Sequence, residues 1–465
     1  MPTAPDIRNY SANNVDLFNA IRNDSSANYR NFVPVASPAQ ESVRTIGTTL
    51  MNMPELANEF IGALINRIAA VRVRRLMFTN PWKPWKKGSM DMGDTIEEVY
   101  VNLAKPFAYD MTKDEGQLYK RELPDVRSAF HVVNYRRYYK DTIDRDRLRA
   151  AFLSWESMTS FISEIIGSMY ASAEVDEFEV MKYLIAVKLL KGEITPVQVS
   201  SVSAANMASI VTTIKATSNK MVFPSTAYNR AHVKNAAPKD RQYLIGSADF
   251  DATMDVNLLA AAFNMDKAEF TGRRVLVDGF GTFDEERLAR LIDGYQAFSS
   301  EQKAALNAVP AVLIDDTFFQ VFDNLMEMKS KENEELLYWN YWLHTWKTVS
   351  ASPFANAVAF VVGAPGVTSV TVTPATATVT AGQTLQLTTV VATTNFASQE
   401  VTYTAVINDG SEGATDADAD PDEITITPLG LCTIGADVTA NSVITVTATS
   451  VADSTATDTC VITVA

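Results

Sequence analysis

Apolar residues along this chain switch between a helical and a two-residue period, and the order of the switches outlines the elements. Residues 1–50 scatter apolar side chains among Asn, Ser, Pro and Ala, which reads as an extended arm that needs a neighbour to order it. Pro54 then opens an amphipathic helix with Ile61, Leu64, Ile65 and Ile68 on one face. From Val71 the pattern turns irregular and basic, and Pro81, Pro84 and Gly88 exclude a helix there. Residues 95–107 and 126–142 are rich in β-branched and aromatic side chains, and the charged stretch 110–124 between them contains Gly116. They predict a long hairpin-like excursion of two strands, with so little core of its own that it must pack on another chain. Met158, Phe161, Ile162, Ile165, Ile166 and Met169, then Phe178, Met181, Leu184 and Ile185, recur at three and four as far as Lys191-Gly192. That spacing predicts one helix of about thirty residues, about 45 Å long. Helices and strands alternate from Glu193 to Ala311, among them a helix over 255–263, a strand over 274–277 and an acid-started helix over 284–292. Apolar runs at 312–314, 318–322, 338–346 and 354–362 close the body. Past Gly363-Ala-Pro-Gly366 the period becomes two, as in Val370-Thr-Val372-Thr and Ile444-Thr-Val446-Thr, and predicts short half-buried strands. The whole reads as an α+β body with an appended all-β module.

Charge sharpens that division. Residues 367–465 contain no Lys or Arg but eleven Asp or Glu, and carry most of the formal charge of −15. That balance argues against nucleic acid as a ligand for the whole surface, because such binding needs Lys and Arg against phosphate, though local basic faces remain allowed. The body is too long for one ordinary core and implies subdomains or an elaborate fold with arms. Hydrophobic content of 47% with 20% charged residues suits a folded, soluble chain. The longest apolar run, 354–362, is half what a bilayer span needs. Met1-Pro-Thr-Ala-Pro-Asp-Ile-Arg shows no basic-then-apolar leader, so a cytoplasmic site of synthesis and use is expected. Both cysteines, Cys432 and Cys460, fall in the acidic module, where a bond between neighbouring strands or two free thiols are the alternatives.

Candidate chemistry is sparse. His131, His232 and His344 sit in three different elements, none with a second ligand at zinc spacing. Gly279-Phe-Gly281 opens like a dinucleotide fingerprint, but Asp284 stands where the third glycine belongs, and a strand-to-helix turn explains it better. There is neither a Gly-x-Ser-x-Gly nor a phosphate-binding loop, and the body has no Cys nucleophile. The ladder Asp416, Asp418, Asp420, Asp422 begins like a calcium loop, but Pro421 occupies the position of its turn glycine, so a solvated acidic loop is the simpler reading. The cluster Arg72, Arg74, Arg75, Lys83, Lys86 and Lys87, interleaved with Trp82 and Trp85, fits either a nucleic-acid face or inter-subunit ion pairs. Arg136, Arg137 and Lys140, set opposite Glu97 and Glu98, fit the second. The aromatic stripe from Tyr338 to Trp346 reads as core. No catalytic, cofactor-binding or metal residue is assigned, and no enzyme activity is expected.

An arm, a two-stranded excursion, a very long helix, a mixed region and a closing strand, in that order, resemble the Hong Kong 97-type capsid fold of tailed phages. At residue level the chain resembles the major capsid proteins of small short-tailed phages like phi 29. The resemblance rests on Asp16-Leu-Phe-Asn-Ala-Ile-Arg22, Lys86-Lys-Gly88 with Thr95-Ile-Glu-Glu98, Ser172-Ala-Glu-Val-Asp-Glu177, Ala262-Phe-Asn-Met265, Val277-Asp-Gly-Phe280, Leu337-Tyr-Trp-Asn-Tyr341 and Phe354-Ala-Asn-Ala-Val-Ala-Phe360. The tail resembles the bacterial Ig-like group 2 domain through Val370-Thr-Val-Thr-Pro374 and Val379-Thr-Ala-Gly382-Gln-Thr-Leu385, apart from its acidic insertion at 409–422. The resemblance implies a shell domain over 1–362, with an N-arm over about 1–50, an E-loop over about 95–142, a spine helix over about 156–191 and an axial domain over about 193–345. A linker over 363–366 and an Ig-like β-sandwich over 367–465 would follow. It further implies hexamers and pentamers on an icosahedral lattice, with a scaffolding protein, a portal and packaged double-stranded DNA bound without sequence specificity as partners. The Ig-like module would face outward, with a host surface as a potential contact. Lys105, Lys113 and Lys120 in the excursion are the crosslinking candidates. No membrane association is expected, and assembly would take place in the host cytoplasm. A bacterial adhesion protein with an Ig-like domain is the alternative, and it requires a signal peptide or anchor.

Overall fold

The computed structural model describes residues 14–37, 78–90, 95–107, 121–144, 155–259, 274–333, 338–408 and 424–465, with isolated positions at 45–59 and at 335. Near the N-terminus, α1 (Asn14–Asp24) and α2 (Ala27–Phe32) fold back on one another. Ser26 caps α2 by accepting from the Tyr29 amide at 3.1 Å. Arg22 Nε donates to the Val33 carbonyl at 2.7 Å, and the Asn19 side chain exchanges two bonds with the Ala36 backbone at 2.8 and 2.9 Å. Tyr29, Val33, Ala36, Ile46 and Leu56 close a small core over these turns. The segment is therefore locally folded where composition predicts an extended arm, because Arg22 and Asn19 satisfy backbone groups that would otherwise need a neighbour.

The body starts with the 3₁₀ turn Lys83–Trp85 and a short strand, β1 (Lys86–Ser89). The excursion follows as β2 (Thr95–Val101) and β3 (Val126–Val132), antiparallel with Ile96 opposite His131. Pairing stops at Val132, and β4 (Tyr135–Asp144) belongs to a different sheet. The hairpin is thus shorter than its sequence pattern, which runs unbroken to residue 142 because both strands carry the same residue types. The long helix, α3 (Trp155–Leu190), ends where Gly192 adopts φ +63 and the amides of Gly192 and Glu193 return to Leu189 and Lys188.

After α3 the chain alternates β5 (Thr195–Val199), α4 (Met207–Lys220), β6 (Gln242–Ser247), α5 (Ala248–Leu259), β7 (Arg274–Val277), α6 (Glu285–Leu291), α7 (Ser300–Asn307) and β8 (Ala311–Asp315). Two long strands, β9 (Phe319–Asn333) and β10 (Tyr338–Ala351), then precede β11 (Ala357–Val362). Strands β5-β11-β8-β6-β7 form a five-stranded sheet, and β1-β9-β10-β4 a four-stranded one. The stretch read as continuous from 193 to 345 therefore divides after Asp315. In the five-stranded sheet Val358, Phe360, Ala311 and Leu313 pack with Met207, Ile210, Ile214 and Phe250 on one side. Ala357, Ala359, Val312 and Ile314 face the opposite side, toward Met181, Ile185, Leu288 and Leu306. Burial on both faces explains why β8 and β11 read as unbroken apolar runs.

The described residues of the tail contain strands and no helix: β12 (Gly366–Thr373), β13 (Thr376–Val379), β14 (Thr384–Gln386), β15 (Thr388–Thr394), β16 (Val401–Asn408), β17 (Ile424–Ile426), β18 (Leu431–Ile434), β19 (Val443–Ser450) and β20 (Thr457–Val464). Sheets β13-β20-β19-β16, β14-β18-β17 and β12-β15 enclose one core of Val372, Leu387, Ile434, Val446, Ile462 and their neighbours. Cys432 and Cys460 lie in that core as free, fully buried thiols, and burial pushes both up, Cys432 to about 11. The acidic ladder 416–422 falls outside the described residues. Among the described residues no helix is long and apolar enough to cross a membrane.

Candidate assembly surfaces

The hairpin has one face rooted in the body and one turned to solvent. On the rooted face His131, 4% exposed, bonds Glu98 at 3.1 Å through Nε2 and the Ser350 hydroxyl at 2.6 Å through Nδ1. Ser352 donates to the other Glu98 oxygen at 2.8 Å. Tyr100 stacks on Phe354 with centroids 5.5 Å apart, and its hydroxyl donates to the Lys234 carbonyl. Hydroxyl, imidazole and carboxylate thus line up as in a hydrolase, but the His131–Glu98 bond ties the two hairpin strands together while the Ser350 and Ser352 bonds join them to the β10–β11 segment, and the group acts as a pin. The alternate residues Val99, Val101, Val126, Phe130 and Val132 point the other way and are 49–63% exposed. Leu103, Phe107 and Leu123 beyond the strands are exposed as well. So large an exposed apolar patch on a two-stranded ribbon marks an interaction surface.

Of the basic segment before β1, the two tryptophans are internal, whereas Lys83 is exposed. Trp82 and Trp85 are buried against Phe178 and Phe319, with Trp82–Phe178 centroids at 5.0 Å and Trp85 stacked on Phe319 at 5.3 Å. Lys83 pairs with Glu174 at 2.9 Å, and Lys86 with Glu177 at 3.0 Å and Asp323 at 2.7 Å. Lys347 also meets Glu177, and Asn80 Nδ2 donates to its second oxygen at 3.1 Å. Within the subunit, Trp82 and Trp85 belong to the core, and Lys83 and Lys86 already have carboxylate partners. The lysines close an intramolecular network on α3, because a buried carboxylate such as Glu177 is stable only when paired and hydrogen-bonded. Arg72, Arg74 and Arg75 lie outside the described residues. Nor do Arg136, Arg137 and Lys140 meet Glu97 and Glu98. Arg137 reaches Asp293 at 2.8 Å, whereas Arg136 and Lys140 cover the rings of Trp346 and Trp342 at 5.0 and 5.7 Å. The Tyr338–Trp346 stripe is accordingly only half core: Leu343 and Thr345 are buried, whereas Trp342 and His344 are half-buried and Trp346 is exposed.

Between the free edge of β4, α3 and α6 lies a groove of about 510 Å³, lined by Arg137, Tyr139, Asp176, Arg287 and Arg290 among others. Asp176, 1% exposed, accepts from both Tyr139 and Arg287. Burial pushes the Tyr139 phenol up, with Tyr135 and Asp176 adding to the effect. The groove floor is therefore a satisfied network that leaves a strand edge open above it.

The tail is docked firmly on the body. Phe396, at φ +63 and 8% exposed, joins the body core. Gln399 Nε2 donates to the Leu190 carbonyl at 3.0 Å, His232 Nε2 bonds Glu400 at 2.8 Å, and Arg230 pairs with the same carboxylate. A Cβ on Gly192 would lie 2.3 Å from the Ala397 carbonyl oxygen, so the helix end and the tail loop meet only because residue 192 is glycine.

Known proteins place these surfaces in context. The Phi29-like phage major capsid protein family matches residues 18–361. The major capsid protein of Bacillus phage B103 is 36% identical over 404 residues, covering 86% of this chain and 84% of that protein. The major capsid protein of Streptococcus phage Cp-1 is 28% identical over 359 residues, 74% of this chain and 93% of that protein. Among solved structures, a chain in the capsid of Staphylococcus phage Andhra superposes with a TM-score of 0.52 at 14% identity, over 64% of this chain and 88% of that one. These likenesses favour a shell protein over an adhesin. The chain belongs to the Phi29-like phage major capsid protein family and is a shell-forming subunit of a phage capsid.

Proposed function

We propose that the chain builds an icosahedral shell of hexamers and pentamers around double-stranded DNA, in the Hong Kong 97 manner. The hairpin β2–β3 serves as the E-loop and lies over a neighbouring subunit, α3 is the spine helix, and the five-stranded sheet with α4 to α7, the part of 193–345 before β9 together with β11, supplies the axial domain of a shell domain spanning 1–362. The observation that carries this reading is the apolar outer face of the hairpin, which needs a second chain to cover it. Covering such faces all round a subunit gives the large burial of an obligate assembly, on the order of several thousand Å². Residues 367–465 form an Ig-like group 2 domain displayed on the outside, where eleven acids and no bases avoid the packaged polyanion. A scaffolding protein and a portal guide assembly in the host cytoplasm, the Ig-like domain is available to a host surface, and the protein is structural, without an enzymatic role. The experiment is expression with and without a scaffolding partner, followed by negative-stain microscopy. Closed shells, tubes or sheets are expected. A strictly monomeric product under both conditions would end the proposal, and shells with the tail lining the interior would end its outward placement.

A further inference from the structure

The sheet β1-β9-β10-β4 presents two unlike faces. Met328, Leu343 and Tyr139 pack with Met169 and Ala173 of α3. The alternate residues, fixed by the strand register, form cross-strand rows on the other face: Leu325, Trp346 and Arg136; Glu327, His344 and Tyr138; Lys329, Trp342 and Lys140; Lys331, Asn340 and Thr142. Contacts within the rows agree, since Arg136 and Lys140 lie over Trp346 and Trp342, and the Tyr138 and His344 rings are 5.8 Å apart. Arg136, Lys140, Lys329 and Lys331 are all exposed, these rows hold one carboxylate, Glu327, which Lys329 meets at 3.3 Å, and the register places a second, Asp144 opposite Tyr338, at the end of the face.

We propose that this face binds the phosphate backbone of nucleic acid. The inference rests on the reading of the chain as a shell that encloses DNA, and it names the surface that touches the polymer. Charge complementarity carries it: four cations against two acids, Glu327 within the rows and Asp144 at their end, stand out in a chain of formal charge −15. Spacing supports it, because alternate residues of a strand lie about 7 Å apart, close to two of the ~3.4 Å steps by which successive phosphates of one strand advance along the duplex axis. The rings between the cations add a second element, since exposed aromatics beside Lys and Arg accept stacked bases of a single strand at little cost in sequence preference. Backbone contact of this kind reads no sequence.

The test measures binding of the full-length, unassembled chain to fluorescent 20-nucleotide single strands and the matching duplex across a salt series. The triple variant Lys140→Gln, Lys329→Gln, Lys331→Gln is compared with a control, Lys215→Gln with Lys220→Gln, on the exposed side of α4. The triple variant is expected to lower the salt slope by about 2 to 3 and the affinity at low salt by at least about tenfold, with the control unchanged. Preference for the single strand or for the duplex then tells which polymer form the rings and cations suit, and either supports the proposal. No binding by the parent chain, equal loss in the control, or unchanged binding by the triple variant would overturn it. A triple variant that binds normally but no longer forms shells would assign the face to contact between copies instead. Shell formation, scored separately with a scaffolding partner, reports on the capsid reading itself, so the two failures are distinguishable.

Discussion

Replacing Phe130 by threonine should impair assembly while leaving the subunit intact. The ring is 63% exposed on the outer hairpin face, so most of its burial is still to come when shells form. Full burial of a phenylalanine is worth about 2–3 kcal/mol, and the exposed share leaves about 1.5 kcal/mol at stake. Each 1.4 kcal/mol is about tenfold in an equilibrium constant, so the variant should need about tenfold more protein before shells appear. Val101 and Val126, 59% and 49% exposed, contribute about 0.7 kcal/mol each, and adding Val101→Thr and Val126→Thr should cost a further factor of about ten. Threonine keeps the strand propensity, and none of the three side chains belongs to a buried core in the free subunit, so its melting should shift by less than about 0.5 kcal/mol per substitution. The assay is light scattering and sedimentation against protein concentration, with thermal melting of the unassembled chain alongside. An assembly threshold within twofold of the parent, in a chain that still folds, would mean that this face stays in solvent in the shell.

Other outcomes follow from the interior. Glu177→Ala leaves Lys86 and Lys347 with Asp323 as their remaining carboxylate partner among the described residues, and urea unfolding should show a loss of about 3–5 kcal/mol, against a smaller loss for Glu177→Gln. Gly192→Ala sets a Cβ against the Ala397 carbonyl at an unfavourable φ, so calorimetry should show the tail separating from the body as its own transition, with a cost of at least about 2 kcal/mol. Asp315 is pushed up to about 6 by burial and the neighbouring Asp316, whereas Asp316, despite its own burial, is held below the usual range by its hydrogen bonds with Asp315 and Arg241. The folded chain therefore binds more protons at Asp315 than the unfolded chain between about pH 4 and 6, and this contribution to stability falls as pH rises through that window. Asp315→Asn keeps an acceptor for Arg241 and the Thr317 amide, and urea midpoints at pH 4.5, 5.5 and 6.5 should lose that downward trend.

Much of the fold was legible where one period persists. The run from Met158 to Ile185 repeats at three and four long enough that only a helix fits, and Gly192 marks its stop. The strand at 274–277 and the acid-started helix from 284, where Asp284 proves to be the cap, were legible for the same local reason. What escaped is long-range. No local signal tells that β1 pairs with β9, with Lys86 beside Val321, or that β4 leaves the hairpin for β10. Trp82 and Trp85 looked like surface residues because lysines surround them. Their spacing of three in a 3₁₀ turn, which aligns the rings on one side, was the clue that they face the core. The Tyr338–Trp346 stripe hid a two-residue alternation in which Leu343 and Thr345 turn inward while Trp342, His344 and Trp346 turn out, and a count of aromatics alone cannot separate those faces.

The position of β11 inside the five-stranded sheet bears on the order of synthesis. Strand β11 lies between β5, parallel to it, and β8, antiparallel to it, so until residue 362 leaves the ribosome β5 has no partner and β8 keeps an open edge. Nearly four-fifths of the polypeptide must emerge before that gap is filled, and the nascent subunit is meanwhile a set of unsealed edges exposed to other nascent subunits. The tail strands follow only a few residues later, so the last segment translated lands on a platform that has only just been completed.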